Sequence, residues 1–328
     1  MPANLTPEFK AAEERYKAAK DVDEKIECLE LMLATVPKHK GTEKIQADIK
    51  SKLSKMRRQP KRKSGGRRQD IAHVPHEGAA QVVVLGAANV GKSSLVGRLT
   101  KADPKVAEYP FTTLRPQPGM MPYEDILIQL VDLPALGKES PAPWVPQVAR
   151  YADAALVVID LGAPDPAVQF GEVLRALEER KVILVPRLEP GHEDAPPERH
   201  LPALVVANRL DGEDARDVLA LVREEVGGAW TIDAVSVLTG EGFDGLGHAL
   251  YGLLGLVRVY SKLRGKKPEA TPFVLKKGQT VTDFAGQIHK DVVRHFKFAR
   301  VGGKSGFEGQ RVSRDHVLEE GDVIEVTH

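Results

Sequence analysis

Gly86-Ala-Ala-Asn-Val-Gly-Lys-Ser93 is the stretch on which the reading of this chain turns. It fits GxxxxGK[ST], follows the apolar run Gln81-Val-Val-Val-Leu85 and opens a segment of helical character, the context in which the pattern has meaning. In such a strand–loop–helix unit the glycines let successive backbone N–H groups curl around phosphates. Lys92 brings charge to the β and γ phosphates, and the Ser93 hydroxyl is suited to Mg²⁺. The expected nucleotide contacts are Gly86, Ala87, Ala88, Asn89, Val90, Gly91, Lys92, Ser93 and Ser94.

Outward from this loop, short apolar runs alternate with longer mixed segments, which predicts βα units around a mostly parallel sheet with helices on both faces. Strands are expected at 81–85, 126–131, 154–159, 204–207 and 231–235, with an edge strand at 182–185 and a proline-rich surface loop over 187–202. The α/β domain is placed at 80–260 and a basic linker at 261–270. The remaining residues, 271–328, read as a compact α+β module: strands at 273–275, 298–301 and 323–326, and a helix with Val281, Phe284, Ile288 and Val292 on one face.

Upstream, Ile26, Leu29, Leu33 and Val36 recur at helical spacing, as do Ile45, Ile49, Leu53 and Met56, so residues 1–58 are read as a helical region folded as a hairpin. Residues 59–79 read as a basic linker that cannot bury a core. The chain has 47 Lys and Arg against 46 Asp and Glu, yet 38–68 is strongly basic and suited either to phosphate contacts or to solvation as a linker. No apolar run approaches the roughly 18 residues of a membrane span. With a single cysteine, Cys28, and no secretory profile, the expected compartment is the cytoplasm.

Base identity needs a separate signal, and Asn208-Arg-Leu-Asp211 supplies it in the place expected for NKxD. A carboxylate at Asp211 can accept from N1–H and the exocyclic amine of guanine together, a pair that adenine lacks. Arg209 stands where lysine is usual, its stem and planar head able to cover the base. Ser236-Val237-Leu238 sits where backbone N–H groups would meet the guanine oxygen. Between these loops, Thr113 in Tyr109-Pro-Phe-Thr-Thr113 and Asp132 in Asp132-Leu-Pro-Ala135 offer hard oxygens to complete a Mg²⁺ shell with Ser93. Each string is short; their shared order carries the inference. An ATP-dependent phosphoryl transferase would require Asp211 to be irrelevant.

With those motifs in hand, the chain resembles the Obg-related GTPases, and specifically the developmentally regulated GTP-binding proteins with a C-terminal TGS domain. The resemblance covers nearly the whole chain, including Lys38-His-Lys-Gly-Thr-Glu-Lys44, Asn89-Val-Gly-Lys-Ser-Ser94, Val257-Arg-Val-Tyr260, Ile288-His-Lys-Asp291 and Phe296-Lys-Phe-Ala-Arg300. It implies a G domain flanked by a helical N-terminal region and a small β-grasp TGS module, with GTP and GDP as ligands and RNA, ribosomes or translation factors as partners. In three respects this sequence departs from the family. Ala135 replaces the glycine after Asp-Xaa-Pro, 162–202 leaves no room for the family's inserted domain, and Obg's glycine-rich N-terminal domain is absent.

Leu136 occupies the position where many GTPases place a water-orienting glutamine, so intrinsic turnover is expected to be slow. In related GTPases with such a hydrophobic residue the P-loop asparagine, here Asn89, helps to seat a K⁺. Lys92, Thr113 and Asn89 are therefore the expected catalytic residues, and Ser93, Thr113 and Asp132 the expected metal ligands. In the C-terminal module Lys290, Arg294, Lys297 and Arg300 are expected on a basic face toward structured RNA, while His289, His295 and His316 lack metal-site spacing. A GTP-loading scaffold with little hydrolysis is the alternative reading.

Overall fold

Strands whose two faces are both covered read as unbroken apolar runs, because neither face meets water. That is the case for the central strands of the computed structural model, which describes residues 16, 28–29, 32–33, 35–36, 46–49, 52–53, 74–100, 116–136, 142, 144–189, 192 and 194–327. The chain divides into two compact units, 1–70 and 71–328. In the first, the described residues are largely helical, and Leu29, Met32, Val36, Ile49 and Leu53 form one buried cluster. Leu29, Val36, Ile49 and Leu53 belong to the two stripes expected of a helical hairpin. Ile26, Ile45 and Met56 lie outside the described residues.

The second unit begins with β1 (Gln81–Leu85), the phosphate loop and helix α1 (Lys92–Thr100). β2 (Gln117–Tyr123) and β3 (Ile126–Asp132) follow as a hairpin. Next come α2 (Val145–Tyr151), β4 (Ala154–Asp160), α3 (Pro166–Glu178), β5 (Val182–Val185), β6 (Arg199–Asn208), α4 (Ala215–Val226), β7 (Ile232–Ala234) and α5 (Phe243–Leu254). The sheet runs β2-β3-β1-β4-β6-β5, with β7 also paired to β6. Only the β2–β3 pairing in it is antiparallel. Alternation within β1 divides the core: Val83 and Leu85 join α2, α3 and α4 on one face, while Val82 and Val84 join α1 and α5 on the other. β1 lies between β3 and β4, so the chain leaves the sheet centre at its carboxyl edge, the usual place for a ligand in such sheets.

Four expectations need correction. Residues 74–79 are not linker: Ala79 N–H bonds Leu127 O at 2.8 Å and the Gln81 side chain bonds Val74 O at 3.2 Å, stitching this segment to the sheet. Residues 199–202 are not loop but the start of β6, where Arg199 to Pro202 pair with β5. β2 was not anticipated at all. And residues 256–260, placed in the α/β domain, belong to the second sheet: Gly255 at φ 59° ends α5, and the chain re-enters as β8 (Leu256–Ser261).

That second sheet contains β8, β9 (Phe273–Lys276), β10 (Phe298–Gly302), β11 (Gln310–Val312) and β12 (Asp322–Thr327), in the order β11-β10-β12-β8-β9. Helix α6 (Val281–Ile288), closed by a Thr280/Asp283 capping box, lays Val281, Phe284 and Ala285 on it, and α7 (Lys290–Arg294) adds Val292. Ile288, expected in the core, is 39% exposed because His289 breaks the helix into two. The two sheets meet through Arg258, which reaches Glu124 and Asp125 in the β2–β3 turn and Glu320 beside β12. Tyr260 Oη donates to Asp125 and Tyr251 Oη to Glu320, each at 2.6 Å.

Candidate functional site: a phosphate loop facing a base-reading loop

Backbone that curls tightly needs residues that tolerate positive φ. In the phosphate loop these are Gly86 at φ 148°, Asn89 at 62° and Gly91 at 95°. Space is as strict as angle: a Cβ on Gly86 would stand 2.4 Å from Val158 O, and one on Gly91 would stand 2.3 Å from Asn208 Nδ2. The loop is therefore seated on β4 from below and on Asn208 from the side.

At its end Lys92 is buried, with Nζ donating to Ala87 O at 2.7 Å and Gly86 O at 3.2 Å. Burial lowers its ammonium to about 8, opposed by the charge of Asp132. Ser93 Oγ donates to Asp132 Oδ2 at 2.5 Å. Asp132 itself is buried at the end of β3, and burial pushes its carboxyl upward against the Ser93 hydrogen bond and the Lys92 charge. Its second oxygen, Oδ1, is buried and accepts no hydrogen bond from any described residue. Leaving such an acceptor unmet costs about 1–3 kcal/mol. A hard cation takes oxygen ligands of this kind, so the Ser93–Asp132 pair fits Mg²⁺. Thr113, the expected third oxygen, lies outside the described residues.

Asn208 sits at the carboxyl end of β6, buried, and acts as a bridge: Nδ2 donates to Val90 O at 2.9 Å and Oδ1 accepts from Val237 N–H at 3.2 Å. The phosphate loop and the 236–238 loop are thus held in one register by one amide. Asp211 accepts a short hydrogen bond from Ser236 Oγ, and Ser236 Oγ in turn accepts from Thr239 N–H at 3.0 Å. Asp211 is exposed and Ser236 buried, so the carboxylate is fixed from beneath while facing outward. Leu238 is 81% exposed beside them.

Arg209 has φ 67°, and its guanidinium turns back to Asp160 Oδ2 at 2.9 Å and Asn89 O at 3.4 Å. It spans from the base-reading loop to the phosphate loop, a placement that the expectation of a base cover did not specify. Asp160, at the end of β4, is the residue that sequence reasoning missed. Its only signal was a carboxylate closing a buried apolar strand. Arg98 was missed too; it holds Val237 O at 3.0 Å from α1.

Leu136 is 5% exposed within the core, and its N–H donates to Gly86 O at 3.1 Å. Ala88 and Ser94 remain exposed along the loop and the first turn of α1. On α7 and the segment after it Lys290, Arg294 and Lys297 are exposed, Arg294 beside Asp291 at 3.5 Å, and Arg300 of β10 is partly engaged by Glu325 at 3.4 Å. The Phe298 ring carries Arg311 at 4.1 Å. Among the described residues no helix is long and apolar enough to cross a membrane.

Known proteins resemble the chain along its length. Residues 81–187 match the family described as 50S ribosome-binding GTPase, and residues 257–327 match the TGS domain. An uncharacterized GTP-binding protein of Methanocaldococcus jannaschii is 30% identical over 93% of this chain and 92% of its own. The developmentally-regulated GTP-binding protein 2 homolog of Dictyostelium discoideum is 30% identical over 92% and 98%, and ribosome-interacting GTPase 1 of Saccharomyces cerevisiae is 28% identical over 92% and 98%. A crystal structure of a GTP binding protein from Pyrococcus horikoshii shares the fold at a TM-score of 0.51 and 17% identity, over 75% of this chain and 99% of that one. Together with the phosphate loop and its base-reading partner, these likenesses show that the chain belongs to the developmentally regulated GTP-binding proteins, GTPase-family proteins that carry a TGS domain.

Proposed function

We propose that the protein hydrolyses GTP to GDP and phosphate with Mg²⁺, slowly when unaided, as a switch acting on an RNA, ribosome or translation-factor partner. The observation that carries this reading is the buried, unmet Asp132 Oδ1 beside Ser93 and Lys92 at the mouth of the phosphate loop. Ser93, Asp132 and Thr113 would hold the ion, which supplies charge neutralisation at the β and γ phosphates. Lys92 Nζ exchanges its backbone carbonyls for phosphate oxygens, and the loop N–H groups from 87 to 94 surround them. Asp211 reads the guanine edge while Asn208 keeps its loop in register, and backbone N–H groups of 236–238 meet the guanine oxygen. In-line attack by water needs positioning more than covalent help, and Asn89 is assigned to seat a K⁺ near the transferring phosphate.

The partner assignment rests on two supports: the ribosome-interacting name of the yeast relative, and the exposed cations Lys290, Arg294 and Lys297 on and after helix α7 of the TGS domain. A phosphate-contacting surface of that kind weakens steeply with salt. The cytoplasm is the compartment proposed. A second reading, a GTP-binding scaffold with little hydrolysis, is favoured by one specific feature: Leu136 is packed in the core and offers nothing to orient water. Single-turnover GTP hydrolysis in KCl against NaCl, with and without ribosomes, decides between them. A rate raised by K⁺ or by ribosomes supports the switch; no measurable turnover in any arm leaves the scaffold.

A further inference from the structure

Far from the nucleotide loop, three side chains in the connection between β5 and β6 converge: His192, Asp194 and His200, with one ligand-type atom of each within 4.8 Å of the others. His200 lies at the amino end of β6 and Asn208 at its carboxyl end, eight residues of extended chain, or about 26 Å, away. No described residue of 186–198 is buried, so this proline-rich connection is not held by core packing. Something other than apolar burial fixes it.

The separations fit long neutral hydrogen bonds and also fit donors arranged around one ion. His192 Nε2 stands 3.3 Å and His200 Nδ1 3.2 Å from Asp194 Oδ1. A charge-assisted hydrogen bond is shorter, about 2.7–2.9 Å, as the Arg199 Nη1–Asp194 Oδ2 pair in the same cluster is at 2.7 Å. Ligands at about 2.0–2.1 Å around a tetrahedral Zn²⁺ stand about 3.3 Å from one another, which the two nitrogen–carboxylate separations match, with all three donor atoms within 4.8 Å. Arg199 occupies Oδ2, and the His200 N–H bonds Oδ1 at 2.7 Å, so the carboxylate is held in a fixed orientation by groups behind it, as outer-shell partners hold metal ligands. The His192 and His200 rings pack edge to face with centroids 4.6 Å apart, and the side chains retain 28% and 26% exposure, open to an ion from solvent.

We propose that His192, Asp194 and His200 form a Zn²⁺ site of three protein ligands, its fourth position open to water, that clips the 186–198 connection onto the start of β6. Two imidazoles and a carboxylate are a donor set for a borderline-soft divalent ion and a poor one for Mg²⁺. Because the cluster is at the opposite end of β6 from Asn208, the ion acts on the fold of this edge and not on phosphate chemistry.

The test uses the full chain, stripped with a chelator and then saturated with Mg²⁺ and GDP so that the nucleotide loop is occupied. ZnCl₂ is titrated calorimetrically, and Co²⁺ is added separately to read the visible bands of a four-coordinate ion. One saturable Zn²⁺ per chain is expected, with affinity lowered at least about tenfold in both His192→Ala and His200→Gln and GDP affinity unchanged. The melting temperature should rise with Zn²⁺ in the parent protein and not in His192→Ala, the safer variant because His192 lies outside the strands while His200 is part of β6. Absence of saturable uptake, or equal uptake in the parent and both variants, would overturn the assignment.

Discussion

Replacing Arg258 with Met keeps the stem and removes the charge that joins the two sheets of the second unit. In the parent its guanidinium serves Glu320 at 2.6 and 2.7 Å and Asp125 at 2.7 Å, as well as Glu124. Breaking a buried pair by removing one partner costs about 3–5 kcal/mol. The figure must be reduced here, because Arg258 is 14% exposed but Asp125 and Glu320 are 32% and 28% exposed and Glu124 is 55%. Glu124 is therefore counted as a surface partner worth about 0–1 kcal/mol. A loss of roughly 2–4 kcal/mol at pH 7 results. The pH dependence supplies a sharper test. Burial alone would raise the Asp125 and Glu320 carboxyls. Hydrogen bonds from Tyr260 and Tyr251 and from Arg258 outweigh it and hold both below the ordinary range. A carboxyl depressed on folding contributes stability that is present above its unfolded pKa, about 4, and lost as pH falls through the folded one. The parent-to-variant gap should accordingly be full at pH 7 and shrink below about pH 4. Urea unfolding at a series of pH values measures it. A gap below 1 kcal/mol at pH 7, or one that stays constant into acid, would refute the reasoning.

Lys92→Ala should lower GTP affinity by more than about a hundredfold, measured by calorimetry, since the phosphates lose their buried cation. In the parent, burial sets the Lys92 ammonium at about 8, so GTP affinity should decline as pH rises from 8 to 9, where the free loop loses its charge. Asp211→Ala removes two charge-assisted hydrogen bonds to guanine, about 1.5–3 kcal/mol each, and ATP should then displace a fluorescent GTP analogue nearly as well as GTP does. Asn208→Ala strands Val90 O and Val237 N–H, whose partner is the Asn208 amide, and should destabilise the protein by about 2–4 kcal/mol in thermal unfolding while also weakening GTP.

How much of this was legible in the sequence depends on how local each cause is. β1 and β4 could be read because both of their faces are covered and the apolar run is nearly continuous, and β3 because its other apolar residues still stand out around Gln129 and the exposed Leu127. β2, Gln117-Pro-Gly-Met-Met-Pro-Tyr123, could not, because two prolines and a glycine contradict strand propensity; it survives as an edge strand antiparallel to β3 alone. β8 was concealed because Leu253 to Val257 is apolar apart from Gly255, and only the left-handed φ there separates helix from strand. At the site, Lys92, Ser93, Asn208 and Asp211 were readable from fixed spacings. The Arg209–Asp160 pair and the Arg98–Val237 contact were not, because their partners are remote in sequence and nothing local requires them. The His192-Xaa-Asp194 and His200 spacing was visible, but its convergence depends on how the 186–198 connection returns to β6.

The geometry also separates binding from turnover. Four polar side chains assigned to the nucleotide have internal partners of their own: Lys92 the loop carbonyls, Ser93 the Asp132 carboxylate, Asp211 the Ser236 hydroxyl, Asn208 two backbone groups. Those partners keep the side chains near their working positions, so little ordering remains for a ligand to impose. On the proposed reading, binding would exchange one good partner for another, and its net gain would fall on the groups with most to win: a buried ammonium and the unmet Asp132 Oδ1. Turnover has no comparable preparation. The position that would steer water is Leu136, turned into the core with its N–H committed to Gly86 O, and no rearrangement of the phosphate loop gives an aliphatic side chain a hydrogen bond to offer. On the hydrolytic reading proposed above, polar groups are placed to hold the nucleotide while this position stays apolar, and the missing catalytic group would come from outside, as an ion beside Asn89 or from the partner itself.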